Sequence, residues 1–263
     1  MQELTIDEIR KIQLDILKDF TEVCDKNNLR YSLCGGTLLG AIRHHGYIPW
    51  DDDIDIMMPR PDFENLILVY KSNNYTLFYI NEKNYHFPFI KIGHNQSLTK
   101  GIGFKKIKIG VHIDILPIDA FPSVPQKIRR HQLRIRILRK LLIIRYYSPA
   151  ITQSKLKIFF LTVCKHIDSL IPQKTIVRLL VKTCRKYSFN ECSHAGNLVW
   201  GYYMKEYNPK HVFTALKPVY FENGRYMGSE DYNTYLSNLF GDYMQLPPEA
   251  ERMTTHDVKF YNK

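Results

Sequence analysis

Three aspartates at alternate positions, Asp51, Asp53 and Asp55, lie in the stretch Ile48-Pro49-Trp50-Asp51-Asp52-Asp53-Ile54-Asp55-Ile56. On an extended strand residues i, i+2 and i+4 share a face. The three carboxylates are therefore expected to project together, with Ile54 and Ile56 pointing into a core. Packing gives no reason to gather like charges on one face, because they repel. A divalent cation would relieve the repulsion, and an all-oxygen donor set suits Mg²⁺ or Mn²⁺. The chemistry implied is metal-assisted work on a phosphate.

A glycine pair supplies the complementary half. Gly35-Gly36 follows the apolar run 31–34 and precedes Thr37-Leu38-Leu39-Gly40-Ala41-Ile42, so it reads as a strand-to-helix turn. Without side chains there, backbone N–H groups can approach a phosphate closely, and a helix N-terminus favours its negative charge. Thr37 is expected either to cap that helix or to offer its hydroxyl to a phosphate oxygen.

The elements that must position these residues follow from periodicity. Thr5-x-x-Glu8 is a capping box opening a helix whose inward stripe is Ile9, Ile12, Ile16, Phe20 and Val23, closed by Asn27-Asn28. Strands are expected at 31–34, 54–58, 75–80, 87–92 and 107–116, with a helix from Pro61 to about residue 70. In 111–115 the alternation puts His112 and Asp114 on one face. Further on, Pro149 and Pro172 punctuate three expected helices, at about 126–147, 153–170 and 174–187. A hairpin with a type I′ turn is expected at Asn223-Gly224, and a helix at 234–240. The fold class is α/β of the α+β kind, a mixed sheet with flanking helices and a basic helical insertion.

Charge is unevenly spread. Of 37 Lys and Arg, 16 fall in residues 120–190 with a single acid, Asp168, so the segment carries +15 and the rest of the chain −4. That split argues against a protein whose whole surface grips nucleic acid. A one-signed amphipathic stretch instead favours an anionic membrane surface. With 44% hydrophobic residues, wholesale disorder is excluded. The acidic, polar first eight residues do not read as a signal peptide, and no apolar run reaches the ~18 residues of a membrane span. Five cysteines without a Cys-x-x-Cys pair fit reduced thiols, so a cytoplasmic location is expected, at the inner face of the plasma membrane if the basic helices dock there.

Residues 35–43 followed by His45-Gly46-Tyr47-Ile48-Pro49-Trp50-Asp51-Asp52-Asp53-Ile54-Asp55 resemble the signature of the LicD-type transferases, which are similar to the fukutin-related transferases. The resemblance extends to Phe89-Ile90-Lys91-Ile92, to residues 111–119 and to Phe240-Gly241-Asp242-Tyr243-Met244 with Pro247-Pro248. It implies a nucleotidyltransferase-like core over 1–120, a basic helical insertion over 121–190, and a C-terminal part over 191–263 that completes the site. It also implies two carboxylates on one strand, Asp53 and Asp55, and a third on its neighbour, Asp114, together holding Mg²⁺ or Mn²⁺. Gly35, Gly36, Thr37, Arg43 and Lys91 are then expected at the donor phosphates. Asp114 is the candidate general base and His112 its competitor, having the better matched ordinary pKa.

The implied reaction moves phosphocholine from CDP-choline to a sugar hydroxyl of a cell-surface glycan (a teichoic acid, lipopolysaccharide or capsule precursor). A quaternary ammonium needs an aromatic or acidic pocket; Trp50, Trp200, Tyr202, Tyr203 and Tyr243 are candidates. Glycerol or ribitol phosphate, or a nucleotidyl group, are the rival cargoes. A non-catalytic protein that binds anionic surfaces through its basic helices is the rival class.

Overall fold

The computed structural model describes residues 1–80, 82, 85–100, 109–144, 171–252 and 258–263. The expected helix at 153–170 and the first two residues of the strand expected at 107–116 lie outside them. Helix α1 (Ile6–Lys26) opens with the expected capping box and buries Ile9, Ile16, Leu17, Phe20 and Cys24. One buried position is polar, Gln13, and the site explains it below.

The main sheet is mixed, in the order β1 (Ser32–Leu33), β2 (Asp55–Pro59), β6 (His112–Ala120), β4 (Ile90–His94), β3 (Tyr75–Phe78). Only β2 and β6 run parallel, which requires the long excursion through α3 (Arg60–Val69), β3, β4 and β5 (Ser97–Lys100) between them. Beyond the end of β4, β6 also pairs with β7 (His194–Gly196), which pairs with β8 (Asn208–Pro209). At the other end of the chain, β11 (Lys259–Asn262) pairs with β5. At their site ends the central strands alternate as expected, with Ile54, Ile56, Ile113 and Ile115 at most 1% exposed; farther along, both faces are buried. Each such side chain contributes about 2 kcal/mol by burial. That anchoring holds the strands in place although the intervening residues are like-charged.

Helix α2 (Gly35–Arg43) begins at the first glycine, so Gly35 and Gly36 form its first turn rather than preceding it. Helices α4 (Pro125–Ile144) and α5 (Gln173–Cys184) come from the basic segment and pack on each other. The hairpin β9 (Leu216–Phe221) and β10 (Gly224–Ser229) is present, but its turn sits on Glu222-Asn223. Only Glu222 has positive φ there, so the turn is not type I′. The reason is local: the Glu222 carboxylate accepts the Tyr47 N–H and its own N–H donates to the His45 carbonyl, which fixes the hairpin tip against α2's exit. Helix α6 (Tyr232–Phe240) is capped by Asp231.

Candidate active site

Register brings three charged residues side by side. Asp55 on β2 lies opposite Asp114 on β6, and Asp114 lies opposite Lys91 on β4. Cross-strand partners share a face, so the sheet presents a row of carboxylate, carboxylate and ammonium. Lys91 Nζ donates to both oxygens of Asp114, at 2.5 and 2.7 Å, and the lysine is 5% exposed. At the head of the row, the Asp55 N–H donates to Thr37 Oγ1 at 2.9 Å. Thr37 is thus buried and holds the carboxylate strand; it does not cap α2, whose N-cap is Cys34 without a side-chain hydrogen bond.

Asp51 and Asp53 precede β2, which begins only at Asp55, so the three alternate aspartates do not lie on one strand. They are carried by a loop that α1 clamps from below. Arg10 donates to the carbonyls of Ile48, Pro49 and Asp51. Gln13 donates to the Asp52 carbonyl and accepts from the Tyr47 hydroxyl. The clamp brings the Asp51 and Asp53 carboxyls into hydrogen-bond contact and sets Asp51 Oδ2 2.6 Å from where a Cβ on Gly36 would stand. Gly36 is therefore required for close approach. Gly35, at φ +52°, turns the chain into the helix. Asp52 lines a smaller neighbouring cavity.

Asp51, Asp53, Asp55 and Asp114 all line one cavity of about 570 Å³ together with Gly35 and Gly36. Gathering them is costly, and the cost appears as proton affinity. Asp53 is pushed well above the ordinary carboxylate range by burial and by the charges of Asp51, Asp114 and Asp52. Asp55 is raised by burial, then by Asp53 and Asp114, with Lys91 opposing. Such a group takes up protons or a cation. Its donor chemistry fits Mg²⁺ or Mn²⁺. The side chains do not form a closed cage, however. Among the described residues no three His, Cys, Asp or Glu groups are placed to hold a metal ion, and Asp114 is held by Lys91.

The opposite wall comes from residues 139–240. Arg139 of α4, 7% exposed, donates to the carbonyls of Gly201 (2.6 Å) and Trp200 (3.0 Å), and its Nε has no partner. Glu206 accepts from the N–H groups of Asn197 and Tyr202, and Asn197 Oδ1 accepts from the Trp200 N–H. Burial pushes Glu206 up to about 7, against the opposing effect of those two N–H donors. These bonds hold the strap 197–206 over the cavity, presenting Trp200, Tyr202 and Tyr203 to it. The Tyr235 hydroxyl meets the Gly35 N–H at 3.4 Å.

The remaining expected residues are placed as follows. Arg43 is outside the main cavity, its guanidinium donating to the carbonyls of Tyr243 and Gln245; with Trp50, Tyr243 and Pro247 it lines a separate cavity. Lys91 meets Asp114 and lines the smaller cavity. His112 does share the face of Asp114: its Nδ1 meets the Gly110 carbonyl at 2.9 Å and its Nε2 is 3.8 Å from Asp114 Oδ1. Sequence reasoning missed Arg10, Gln13, Arg139 and Glu206. For two of them a signal existed: Gln13 interrupts an apolar stripe, and Arg139 falls at helical spacing between the buried Ile135 and Leu142.

A glycine-rich helix start facing carboxylates on adjacent parallel strands is the arrangement expected of a nucleotidyltransferase-like site. Residues 28–132 match the family described as LicD/FKTN/FKRP, nucleotidyltransferase domain. Over that stretch the chain is similar to this family, and the protein is a transferase. The chain is 29% identical over 275 residues to the lipopolysaccharide cholinephosphotransferase LicD of Haemophilus influenzae, covering 99% of both chains. Shorter matches join it to uncharacterized proteins of Rickettsia typhi (42% over 65 residues, 24% of this chain and 21% of that one) and Rickettsia prowazekii (40% over 67 residues, 24% and 25%).

Proposed function

We propose that the protein transfers phosphocholine from CDP-choline to a sugar hydroxyl of a cell-surface glycan, lipopolysaccharide being the favoured acceptor, with the help of a divalent cation. The observation that carries this reading is the lateral alignment of Asp55 and Asp114, with Asp53 beside them, facing the first turn of α2 across one cavity. The likeness to the Haemophilus influenzae enzyme along the whole chain supports the choline cargo.

Asp53, Asp55 and Asp114 would hold Mg²⁺ or Mn²⁺, which when bound supplies neutralisation of diphosphate charge. The backbone N–H groups at Gly35 and Gly36 receive phosphate oxygens at the positive end of α2. Arg139 adds a cation from the opposite wall. The acceptor oxygen attacks the phosphorus bearing choline, the bond from that phosphorus to the bridging oxygen breaks, and CMP leaves. The hydroxyl proton passes to Asp114, which Lys91 holds by both carboxylate oxygens. His112 stands 3.8 Å behind the same carboxylate to relay it.

The basic helix fits an acceptor presented on a membrane. Helix α4 contains no acid and exposes Leu133 and Ile137 among Arg129, Arg130, Arg134, Arg136 and Lys140. No helix among the described residues is long and apolar enough to cross a membrane. Interfacial docking through α4 predicts co-sedimentation with anionic vesicles; equal binding to neutral ones at low salt would contradict it.

The experiment is CMP release from a panel of CDP-alcohols, with Mg²⁺ and with chelator. Metal-dependent release from CDP-choline is expected. Preference for CDP-glycerol or CDP-ribitol would keep the chemistry and replace the cargo.

A further inference from the structure

The cavity derived above does not account for its smaller neighbour, an annex of about 210 Å³ that shares Asp53, Asp114 and Trp200 with it. Ligand pockets enclosing a drug-sized molecule run to roughly 300–1,000 Å³. The main cavity falls in that range and the annex below it, so the annex has room for a small group and not for a nucleotide.

Its walls are distinctive. Phe87, Phe89, Trp200 and Phe260 line it, with Asp52 and Asp53 at its edge. The Trp200 ring stands edge-on to Phe89 at 5.5 Å and to Phe87 at 6.5 Å. Its backbone is pinned on both sides, the N–H by Asn197 and the carbonyl by Arg139, yet the residue remains 40% exposed. A large aromatic ring held rigidly and left open at the junction of two cavities is poorly explained as core packing.

A positive charge already rests against these rings. Lys91 Nζ lies 5.1 Å from the Phe87 centroid and 5.2 Å from that of Phe89, within the range of cation–π attraction. Its charge is met by both oxygens of Asp114. The annex is lined by three carboxylates, Asp52, Asp53 and Asp114, and by the one ammonium of Lys91. The charge and the aromatic surface both select against an anion.

We infer that the annex seats the quaternary ammonium of the donor's alcohol, with Trp200 closing it and the reacting phosphorus at the junction where Asp53 and Asp114 face both cavities. The inference rests on the phosphocholine reading and deepens it by fixing where cargo is selected. Discrimination between quaternary and primary ammonium then belongs to Trp200 and Phe87, while the nucleotide is held in the main cavity.

The chain has two tryptophans, so Trp50→Phe leaves Trp200 as the sole emitter. Titrated into that variant, phosphocholine is expected to change the emission with an affinity about tenfold above phosphoethanolamine. Adding Phe87→Leu is expected to erase most of the difference. In CMP-release assays the kcat/KM preference for CDP-choline over CDP-ethanolamine is expected to fall towards unity in Trp200→Ala. If the enzyme cleaves CDP-choline but Trp200→Ala keeps its preference, or raises only the acceptor KM, the annex is not the alcohol seat. If the wild type prefers CDP-glycerol, the phosphocholine reading falls and the seat with it.

Discussion

The two walls of the cavity are built differently. The carboxylate wall is sheet: β2, β6 and β4 fix Asp55, Asp114 and Lys91 through ladder hydrogen bonds and paired register, with buried isoleucines between them. The facing wall is a strap and two helix faces, held by side chains, chiefly Arg139, Glu206 and Asn197, bonded to backbone groups of residues 197–202. A sheet keeps like charges together because backbone pairing and apolar burial outweigh the repulsion. A strap has no such reserve and depends on a few buried polar groups that must all be satisfied. Charge is the working feature of the first wall, and a positioned aromatic surface that of the second.

The largest expected effect comes from the carboxylates. Asp53→Asn should lower CMP release by at least about 10²-fold, the scale of losing one preorganised electrostatic group. Its Tm should hold or rise, since the change removes a buried charge repelled by its neighbours. Asp114→Asn should match it in activity and differ in stability. Lys91 would then lose its ion-pair partner while 5% exposed, a loss of up to roughly 3 kcal/mol. Equal melting of the two variants would break the contrast within that wall.

Arg139→Ala tests the strap. Two carbonyls lose their donor, at about 1–3 kcal/mol where they stay buried. The expected outcome is a donor KM raised about tenfold with a smaller change in kcat, accompanied by a change in tryptophan emission. Lysine should not rescue it, because a single ammonium cannot reproduce a fork across two carbonyls. A variant with unchanged KM and emission would show that the strap holds itself.

Glu206→Gln should give the smallest effect on activity, and its effect on stability shows only against pH. Glu206 is raised from 4.5 to about 7 in the folded protein, so the folded state binds the proton more tightly than the unfolded one. The resulting stabilisation is fully present below pH 4.5 and is lost as pH rises through about 7, for up to about 3 kcal/mol. Glutamine cannot ionise. The wild type should therefore lose stability relative to this variant across that window, and parallel curves would contradict the assignment.

How much was legible in advance follows the same division. That Asp55, Asp114 and the glycine pair face one cavity could be read from local patterns, strand alternation and a helix start. Asp51 and Asp53 share that cavity as expected, but on a loop and not a strand, because Arg10 and Gln13, some 40 residues earlier, set its shape. The second wall was largely illegible. Trp200, Tyr202 and Tyr203 could be named as aromatic candidates, yet nothing near them tells which carbonyl Arg139 will reach across about 60 residues. Trp50 and Tyr243, equal candidates by residue type, line a different cavity.

The central claim is that the sheet wall is one divalent-cation site, and thermal melting with and without Mg²⁺ tests it without requiring turnover. A ligand that binds only the folded state raises Tm with its concentration. The account predicts a rise in the wild type at pH 7.5, enlarged by CDP-choline and abolished in Asp53→Asn. A wild-type Tm indifferent to Mg²⁺ and Mn²⁺ in the presence of donor, or a rise that survives in Asp53→Asn, would contradict it.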